Sequence, residues 1–173
     1  MIVMINGSFA SGKTTAAELL VQRLYHSMLY DPEPVGAVIS HIVKPVEKVS
    51  DFQDLTAWRP LVIETARILK QVYGRTLVIP MTLWHRPYFD EIIDGLRQID
   101  PHIYHFCLVA SKETLMTRLA KRQHEHYEED LAWINGRLDR CVSAFSSPAF
   151  AVQISTDDKR PEDIVEEILG RIN

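Results

Sequence analysis

Near the start of the chain, one stretch has residue types and a spacing that could hold a phosphate group. Residues Gly7 to Thr14 read GSFASGKT and match the pattern G-x-x-x-x-G-K-[ST]. The glycines let the backbone curl so that successive N–H groups point at phosphate oxygens, while the lysine and the hydroxyl after it can reach the outer phosphates and Mg²⁺. An apolar run precedes the stretch and a helical pattern follows it, as this motif requires. The stretch therefore predicts a nucleotide-binding phosphate loop.

The residues of this loop have separate predicted roles. Lys13 is expected to hold the phosphoryl group that is transferred, and the hydroxyl of Thr14 is expected to bind Mg²⁺. ATP and Mg²⁺ are therefore the predicted cofactors. The predicted nucleotide-binding residues are Gly7, Ser8, Ala10, Ser11, Gly12, Lys13, Thr14, Thr15 and, from a later helix, Arg118.

The composition is that of an ordinary globular domain. The chain has 173 residues, 46% of them apolar and 24% charged, so we expect residues 1–173 to form a single domain. A net charge of −4 argues against nucleic acid as a partner, and no apolar run is long enough for a transmembrane helix. The first residues lack the basic segment of a signal peptide, and the two cysteines lack metal-ligand spacing. We therefore expect a cytoplasmic location with reduced thiols; peripheral membrane contact stays open.

Strands and helices are predicted to alternate along the chain. Apolar and β-branched runs predict short strands at residues 1–5, 28–30, 76–79, 103–109 and 150–154. Helical patterns fill most of the intervals, and Leu61, Ile68 and Val72 recur on one face of the pattern at residues 55–73. Such alternation predicts an α/β fold in which a parallel sheet is covered by helices on both faces, giving three αβα layers.

In folds of this kind, ligands gather at the carboxyl ends of the strands. Asp31 follows the second strand, and it is our candidate for the group that accepts a proton from an acceptor hydroxyl or holds Mg²⁺ through water. The alternative is that Asp31-Pro32 is turn chemistry alone. The third strand ends in Pro80-Met81-Thr82, whereas a hydrolytic NTPase usually has a carboxylate for Mg²⁺ there. This difference favours a small phosphotransferase over a motor or switch ATPase.

Four arginines flank a polar stretch at residues 123–130, which is typical of an exposed, mobile lid. Arg118 and Arg122 precede the stretch, and Arg137 and Arg140 follow it. These side chains could close over a phosphate chain and neutralise charge in the transition state, with Arg122 and Arg140 as the predicted catalytic members. The alternative is a solvated helix face whose arginines pair with carboxylates of the lid.

A second group of side chains lies where an acceptor molecule could bind, close to the predicted strand ends. It combines aromatic, charged and hydroxyl side chains, and each of these types alone is more often part of the core or of the rim. The predicted substrate-binding residues are Glu33, Trp58, Arg59, Thr82 and His85.

Several short motifs follow one another along nearly the whole chain. They are ING at residues 5–7, YDPE at 30–33 with Gly36, DFQ at 51–53, WR at 58–59, VIPMT at 78–82, YFDEII at 88–93, HF at 105–106, ASKETL at 110–115, DRC at 139–141, and SP at 147–148 with Phe150. Together they resemble those of the bacterial tunicamycin-resistance protein family, within the nucleoside-monophosphate-kinase-like group of P-loop proteins. Asp-Phe-Gln with Trp-Arg and Pro-Met-Thr are the family-specific combination. The stretch at residues 123–130 departs from the family, since it is unusually acidic and contains histidines.

The resemblance implies a five-stranded parallel sheet in the order 2-3-1-4-5, nucleotide binding and a link to resistance against tunicamycin, a lipid-bearing uridine nucleoside. We therefore expect an ATP- and Mg²⁺-dependent phosphotransferase that acts on a hydroxyl of tunicamycin or of a similar nucleoside-like small molecule. Two alternatives stay open: a nucleotide-gated protein that binds the antibiotic without turnover, and a housekeeping nucleoside or metabolite kinase. The sequence makes no prediction about the oligomeric state.

Overall fold

A parallel sheet of five strands forms the centre of the molecule. The computed structural model describes residues 1–123, 131–150 and 152–172, with only the backbone described at residues 122, 123, 131–135 and 148. The strands are β1 (Ile2–Gly7), β2 (Ser27–Leu29), β3 (Thr76–Met81), β4 (Ile103–Val109) and β5 (Val152–Ser155). Their order in the sheet is β2-β3-β1-β4-β5, and every neighbouring pair is parallel. The predicted fold class and the predicted strand order are both confirmed.

Helices connect the strands and cover both faces of the sheet. They are α1 (Lys13–Arg23), α2 (Glu33–Val43), α3 (Trp58–Tyr73), α4 (Arg86–Ile99), α5 (Lys112–Gln123), α6 (Leu131–Phe145) and α7 (Pro161–Ile172), with short 3₁₀ turns at Phe52–Asp54 and Pro148–Phe150. One core cluster joins α1 and α7 to the sheet, and a second joins α3, α4 and α6 to its other face. No helix in the described parts of the chain is long and apolar enough to cross a membrane.

Strand β1 shows why the sheet is buried on both faces. Successive side chains of a strand point to opposite faces, so a strand between two helical layers must be apolar at every position. Ile2 and Met4 belong to the core cluster of α3, α4 and α6, whereas Val3 and Ile5 belong to the cluster of α1 and α7. All four side chains are fully buried. The strand that leads into the phosphate loop is therefore held from both sides.

Pro80 lies inside β3, where a proline removes one hydrogen-bond donor from the sheet. The N–H of Thr76 donates to His26, and the carbonyl of Val78 accepts from Tyr30. Alternate residues of β3 therefore direct their backbone groups toward the β2 side, and Pro80 is the next in this series. Because β2 ends at the position paired with Val78, no strand stands opposite Pro80. The strand can thus continue to Met81, past its predicted end at residue 79.

The apolar face that the sequence suggested for α3 does not point to the core. Ile68 and Val72 are 55% and 66% exposed, and the buried residues of α3 are instead Trp58, Val62 and Ala66. The difference arises because α3 also packs sideways against α4, where Ile63 lies against Gly95, which has no side chain. This contact fixes the rotation of the helix, so hydrophobic spacing alone selected the wrong face.

The rotation of α3 predicts different costs for the same substitution at two positions. Val62→Ala should lower the free energy of unfolding by about 2 kcal/mol, because it removes methyl groups from a fully buried site. Val72→Ala on the exposed face should change it by less than about 0.5 kcal/mol. Urea denaturation followed by circular dichroism measures both values. Equal losses for the two variants would mean that the described rotation of α3 is wrong.

Candidate functional site

The chain between β1 and α1 has the backbone shape of a phosphate-binding loop. Ala10 and Gly12 have positive φ angles of 57° and 90°, and the N–H of Ser11 donates to the carbonyl of Ser8 at 3.2 Å. A methyl group on Gly7 would lie 2.6 Å from the Oγ atom of Ser11 and 2.9 Å from the carbonyl oxygen of Leu108. Glycine is required at position 7 because the loop passes so close to β4. The backbone is therefore curled before any ligand binds.

The side chains of this loop suit a nucleotide with its metal ion. Lys13 is only 9% exposed, and its Nζ atom donates to the carbonyl of Ser8 at 3.5 Å. Thr14 and Thr15 are exposed in the first turn of α1, whose N-terminus carries positive partial charge. The cavity of about 350 Å³ at this place is lined by Ala10, Gly12, Lys13, Thr14, Thr15 and Arg118. All six of these lining residues are in the predicted nucleotide-binding set.

Arg118 joins the phosphate loop to the chain that follows β5. Its guanidinium donates to the carbonyl of Ala10 at 3.4 Å, to the hydroxyl of Thr156 at 3.0 Å and to the carbonyl of Thr156 at 2.7 Å. These three acceptors are uncharged, so they orient the guanidinium without cancelling its positive charge. Arg118 therefore adds a fixed positive charge to the cavity that holds Lys13.

Asn6, the residue before Gly7, is a structural residue that sequence reasoning did not single out as part of the site. Its side-chain oxygen accepts hydrogen bonds from the N–H groups of Gly7 and Leu83, each at 2.9 Å, and its nitrogen donates to the carbonyl of Leu83 at 3.0 Å. The amide is fully buried. Asn6 therefore fixes the start of the phosphate loop relative to the chain between β3 and α4. The polar residue at the end of an otherwise apolar strand was the available signal.

A second cavity, of about 440 Å³, lies beside the segment between β3 and α4. It is lined by Ser50, Asp51, Asp54, Trp84, His85, Tyr88, Gly136, Arg137 and Arg140. His85 and Arg140 were predicted site residues, and the structure brings them together here. Within the described chain, the Nδ1 atom of His85 in this lining is buried without a hydrogen-bond partner, as is the Oγ1 atom of Thr82, which lies outside the lining. Unsatisfied buried polar atoms are uncommon, so the atom of His85 marks a place where a ligand could supply the partner.

Asp51 and Arg137 form an ion pair in this cavity that the sequence did not predict. The side chains are 5% and 16% exposed, and the Nη2 atom of Arg137 contacts the Oδ2 atom of Asp51. The other oxygen of Asp51 accepts from the N–H of Gln53 at 3.0 Å, and the side chain of Gln53 donates to the carbonyl of Thr82 at 2.9 Å. Burial lowers the pKa of Arg137. The pair therefore connects α6 to the segment before α3.

Two of the predicted substrate-binding residues have mainly internal contacts. Trp58 is 1% exposed, and its indole N–H donates to the carbonyl of Pro32 at 3.4 Å. The guanidinium of Arg59 donates to Glu91 at 2.6 Å and to the carbonyl of Gln53 at 2.8 Å. Its CZ atom also lies 4.1 Å from the ring centroid of Tyr88, which is part of the cavity lining. Neither residue lines the second cavity. Trp58 supports the turn that carries Asp31, and Arg59 packs against Tyr88, which does line the cavity.

Asp31 and Glu33 lie just beyond β2, at the carboxyl edge of the sheet where they were expected. The Oδ1 atom of Asp31 accepts a hydrogen bond from the N–H of Glu33 at 3.0 Å, so this carboxylate also stabilises the start of α2. Glu33 is exposed in the first turn of α2. The turn-chemistry alternative is therefore part of the structure, and it leaves the second carboxylate oxygen of Asp31 available for another role.

The lid region is covered only in part by the described chain. Arg122 lies in the last turn of α5, and its side chain is outside the described residues, as is most of the predicted lid at residues 123–130. Arg140 is exposed on α6, with its guanidinium carbon 5.8 Å from the ring centroid of Trp84. Of the two arginines predicted to be catalytic, Arg140 is thus found at a cavity.

Cys141 in α6 is fully buried in the core cluster against which Phe9 of the phosphate loop packs. Burial raises the pKa of its thiol to about 11, while the positive charges of Lys13 and Arg137 act in the opposite direction. Helix α6 lines the second cavity with Gly136, Arg137 and Arg140, and its Leu138 belongs to an apolar cluster against which Phe9 and Ala10 of the phosphate loop pack. A thiol of this pKa is not a nucleophile at neutral pH.

The thiols give a prediction about pH. Because burial raises the pKa of Cys107 to about 12 and that of Cys141 to about 11, both should stay protonated at pH values where unfolded cysteine, with its usual pKa near 9, is ionised. Their contribution to folding stability is complete below that usual value and is lost as the pH rises toward the folded values. Ultraviolet absorbance of the thiolate measures this in folded and urea-unfolded protein. A thiolate step near pH 9 in the folded protein would contradict the burial of these residues.

Comparisons with known proteins agree with this architecture. A family model described as "AAA domain" matches residues 2–148. The protein named "Putative adenylate kinase" in Thermococcus onnurineus (strain NA1) is 27% identical over 170 residues, which cover 98% of this chain and 82% of that protein. The structure of the Deinococcus radiodurans tunicamycin resistance protein matches with a TM-score of 0.80 and 23% identity, over 99% of this chain and 95% of the other.

A third similarity is to a sugar kinase from Janibacter sp. HTCC2649, with a TM-score of 0.70 and 18% identity over 98% of this chain and 92% of the other. The likeness to the Deinococcus protein confirms, at the level of the fold, the resemblance seen in the sequence. The fold is thus that of kinase-like P-loop proteins, and a domain of this type implies ATP binding in general terms.

Proposed function

Because the chain belongs to the AAA domain family, whose model matches residues 2–148, we propose that it is an ATP- and Mg²⁺-dependent phosphotransferase. Its acceptor is a hydroxyl group of tunicamycin or of a similar nucleoside-like small molecule. The observation that carries this proposal is the pairing of a phosphate-binding cavity at Lys13 with a polar, aromatic cavity at His85, whose chain segments Asn6 joins through its hydrogen bonds to Gly7 and Leu83. A protein that only hydrolysed ATP would have no need for the second.

The phosphate loop and its neighbours bind the donor. Bound ATP with Mg²⁺ supplies the phosphoryl group, and the residues present suit it because the curled loop and the start of α1 direct N–H groups toward one cavity. Lys13 and Arg118 place positive charge there, and the exposed hydroxyl of Thr14 would be the protein's ligand for the metal. These charges would stabilise the transition state because they are fixed before the reaction and need no reorganisation during it.

Asp31 acts on the acceptor. Its free carboxylate oxygen orients the acceptor hydroxyl and takes its proton, while the bond from Glu33 holds the other oxygen in place. Trp58 donates to the carbonyl of Pro32 and so positions the turn that carries Asp31. Arg140, at the rim of the second cavity, neutralises charge that develops on the transferred group.

The test of this proposal is a transfer experiment. Tunicamycin incubated with the protein, ATP and Mg²⁺ should gain the mass of one phosphoryl group, as measured by mass spectrometry. Lys13→Ala should lower the rate by about 100-fold or more, because it removes a fixed charge from the donor cavity. Lys70→Ala is the matched control, since Lys70 pairs with Asp100 at the opposite edge of the sheet. An unmodified drug, together with no transfer to a panel of nucleosides, would falsify the proposal.

Asp31→Asn separates catalysis from binding. The variant keeps an acceptor for the N–H of Glu33 but loses the base, so the rate of transfer should fall by about 100-fold or more while the affinity for an ATP analogue stays unchanged. Asp94→Asn, on the exposed side of α4, should have no effect on either quantity. If Asp31→Asn transferred phosphate at the wild-type rate, the carboxylate would be a helix cap and nothing more.

A further inference from the structure

We propose that the second cavity takes an uncharged, hydroxyl-rich compound and rejects a carboxylate-bearing one, and that Asp51 is the residue that sets this preference. This inference rests on the proposed function, since it concerns the acceptor side of the same site. The acceptor is thus assigned to the class of uncharged, hydroxyl-rich compounds. Asp51, which has no role in the transfer step itself, is assigned the role of selecting them.

The charges of the cavity lining balance among its described residues. Asp51 and Asp54 contribute two carboxylates, and Arg137 and Arg140 contribute two guanidinium groups. Arg137 is in contact with Asp51, which is almost fully buried. An arginine without a carboxylate partner is a ready site for a ligand carboxylate, because a guanidinium can bind one with two parallel hydrogen bonds. Here a carboxylate of the protein itself already holds that place.

A ligand carboxylate would therefore have to displace Asp51. Displacement would leave the Asp51 carboxylate buried with only the N–H of Gln53 as a partner, and a buried charge without its counter-charge is strongly destabilising. Without displacement, the ligand would meet only the guanidinium of Arg140, and it would add a third negative charge to a lining whose two carboxylates already balance its two guanidinium groups. Both arrangements disfavour an acidic acceptor.

An uncharged ligand meets neither obstacle. The carboxylate of Asp54 accepts a hydrogen bond from the hydroxyl of Tyr88 at 3.1 Å and keeps further lone pairs for ligand hydroxyls. Trp84 and Tyr88 offer aromatic surfaces, and the rings of His85 and Tyr88 lie 4.3 Å apart in an edge-to-face arrangement. Hydroxyl groups can both donate to Asp54 and accept from Arg140. This combination suits the ring of a sugar or of a nucleoside.

The test uses two probes that differ only in charge, glucuronate and glucuronamide. Binding is measured by isothermal titration calorimetry on the full chain with a saturating non-hydrolysable ATP analogue. Wild-type protein should bind the amide at least about tenfold more tightly than the acid. Equal or tighter binding of the acid, or no binding of the amide, overturns the proposal.

Two substitutions test the role of Asp51 itself. Asp51→Asn should shift the ratio of the two affinities toward the acid by about tenfold or more, because it removes the buried carboxylate that Arg137 contacts in this cavity and that repels the acid. Adding Arg137→Gln to this variant removes both charges of the pair and should restore the preference of the wild type. A folded Asp51→Asn protein, checked by circular dichroism, with an unchanged ratio would exclude this role.

A further variant keeps the test decisive if Asp51→Asn does not fold. Asp54→Asn removes a more exposed carboxylate, which accepts a hydrogen bond from the hydroxyl of Tyr88. This substitution should also shift the ratio of the two affinities toward the acid. Asp94→Asn on α4 is the control and should leave the ratio unchanged. The calorimetric experiment measures binding and needs no turnover. The protein could therefore prefer the amide without transferring a phosphoryl group, or transfer one without preferring the amide. The two proposals are therefore tested separately.

Discussion

The side chain of Asn6 makes the interaction on which both cavities depend. Three hydrogen bonds of its buried amide join the first residue of the phosphate loop to Leu83, at the start of the segment that carries Trp84 and His85. A buried amide that lost these partners would leave unsatisfied donors and acceptors, so the arrangement is strongly specified. The cavity at the phosphate loop and the second cavity are consequently fixed to one another through the carboxyl ends of β1 and β3.

The ion pair between Asp51 and Arg137 connects the same region by a different physical means. It joins the segment before α3 to α6, which also lies against the phosphate loop through Leu138 and its apolar cluster with Phe9 and Ala10. A buried pair of this kind adds little net stability compared with apolar residues, but the loss of one partner is costly. The pair therefore helps to set where α6 meets the second cavity, together with the apolar packing of Leu138, Cys141 and Phe145.

Local sequence rules predicted the parts of this molecule that depend on local physics. The strands, their alternation with helices and the phosphate loop follow from hydrophobic periodicity and one short motif, and the strand order came from the resemblance to a known family. The face of α3 could not be read in this way, because it is set by a sideways contact between Ile63 and Gly95. Likewise, Asp51 and Arg137 are 86 residues apart, so their pairing exists only once the chain is folded.

The four arginines near residues 123–130 show why the residue type alone did not reveal which of them keeps its charge for an anionic ligand. All four near the lid were expected to act on phosphate, yet their partners differ in charge. Arg118 donates to uncharged oxygens of Ala10 and Thr156, so its positive charge persists and favours an anionic ligand. Arg137 donates to a carboxylate, so its charge is largely cancelled where a second substrate would bind. The fold thus keeps the charge of Arg118 beside the phosphate loop and offsets that of Arg137 in the second cavity, where Arg140 is the remaining guanidinium, a distribution that suits the proposed transfer from a charged donor to an uncharged acceptor.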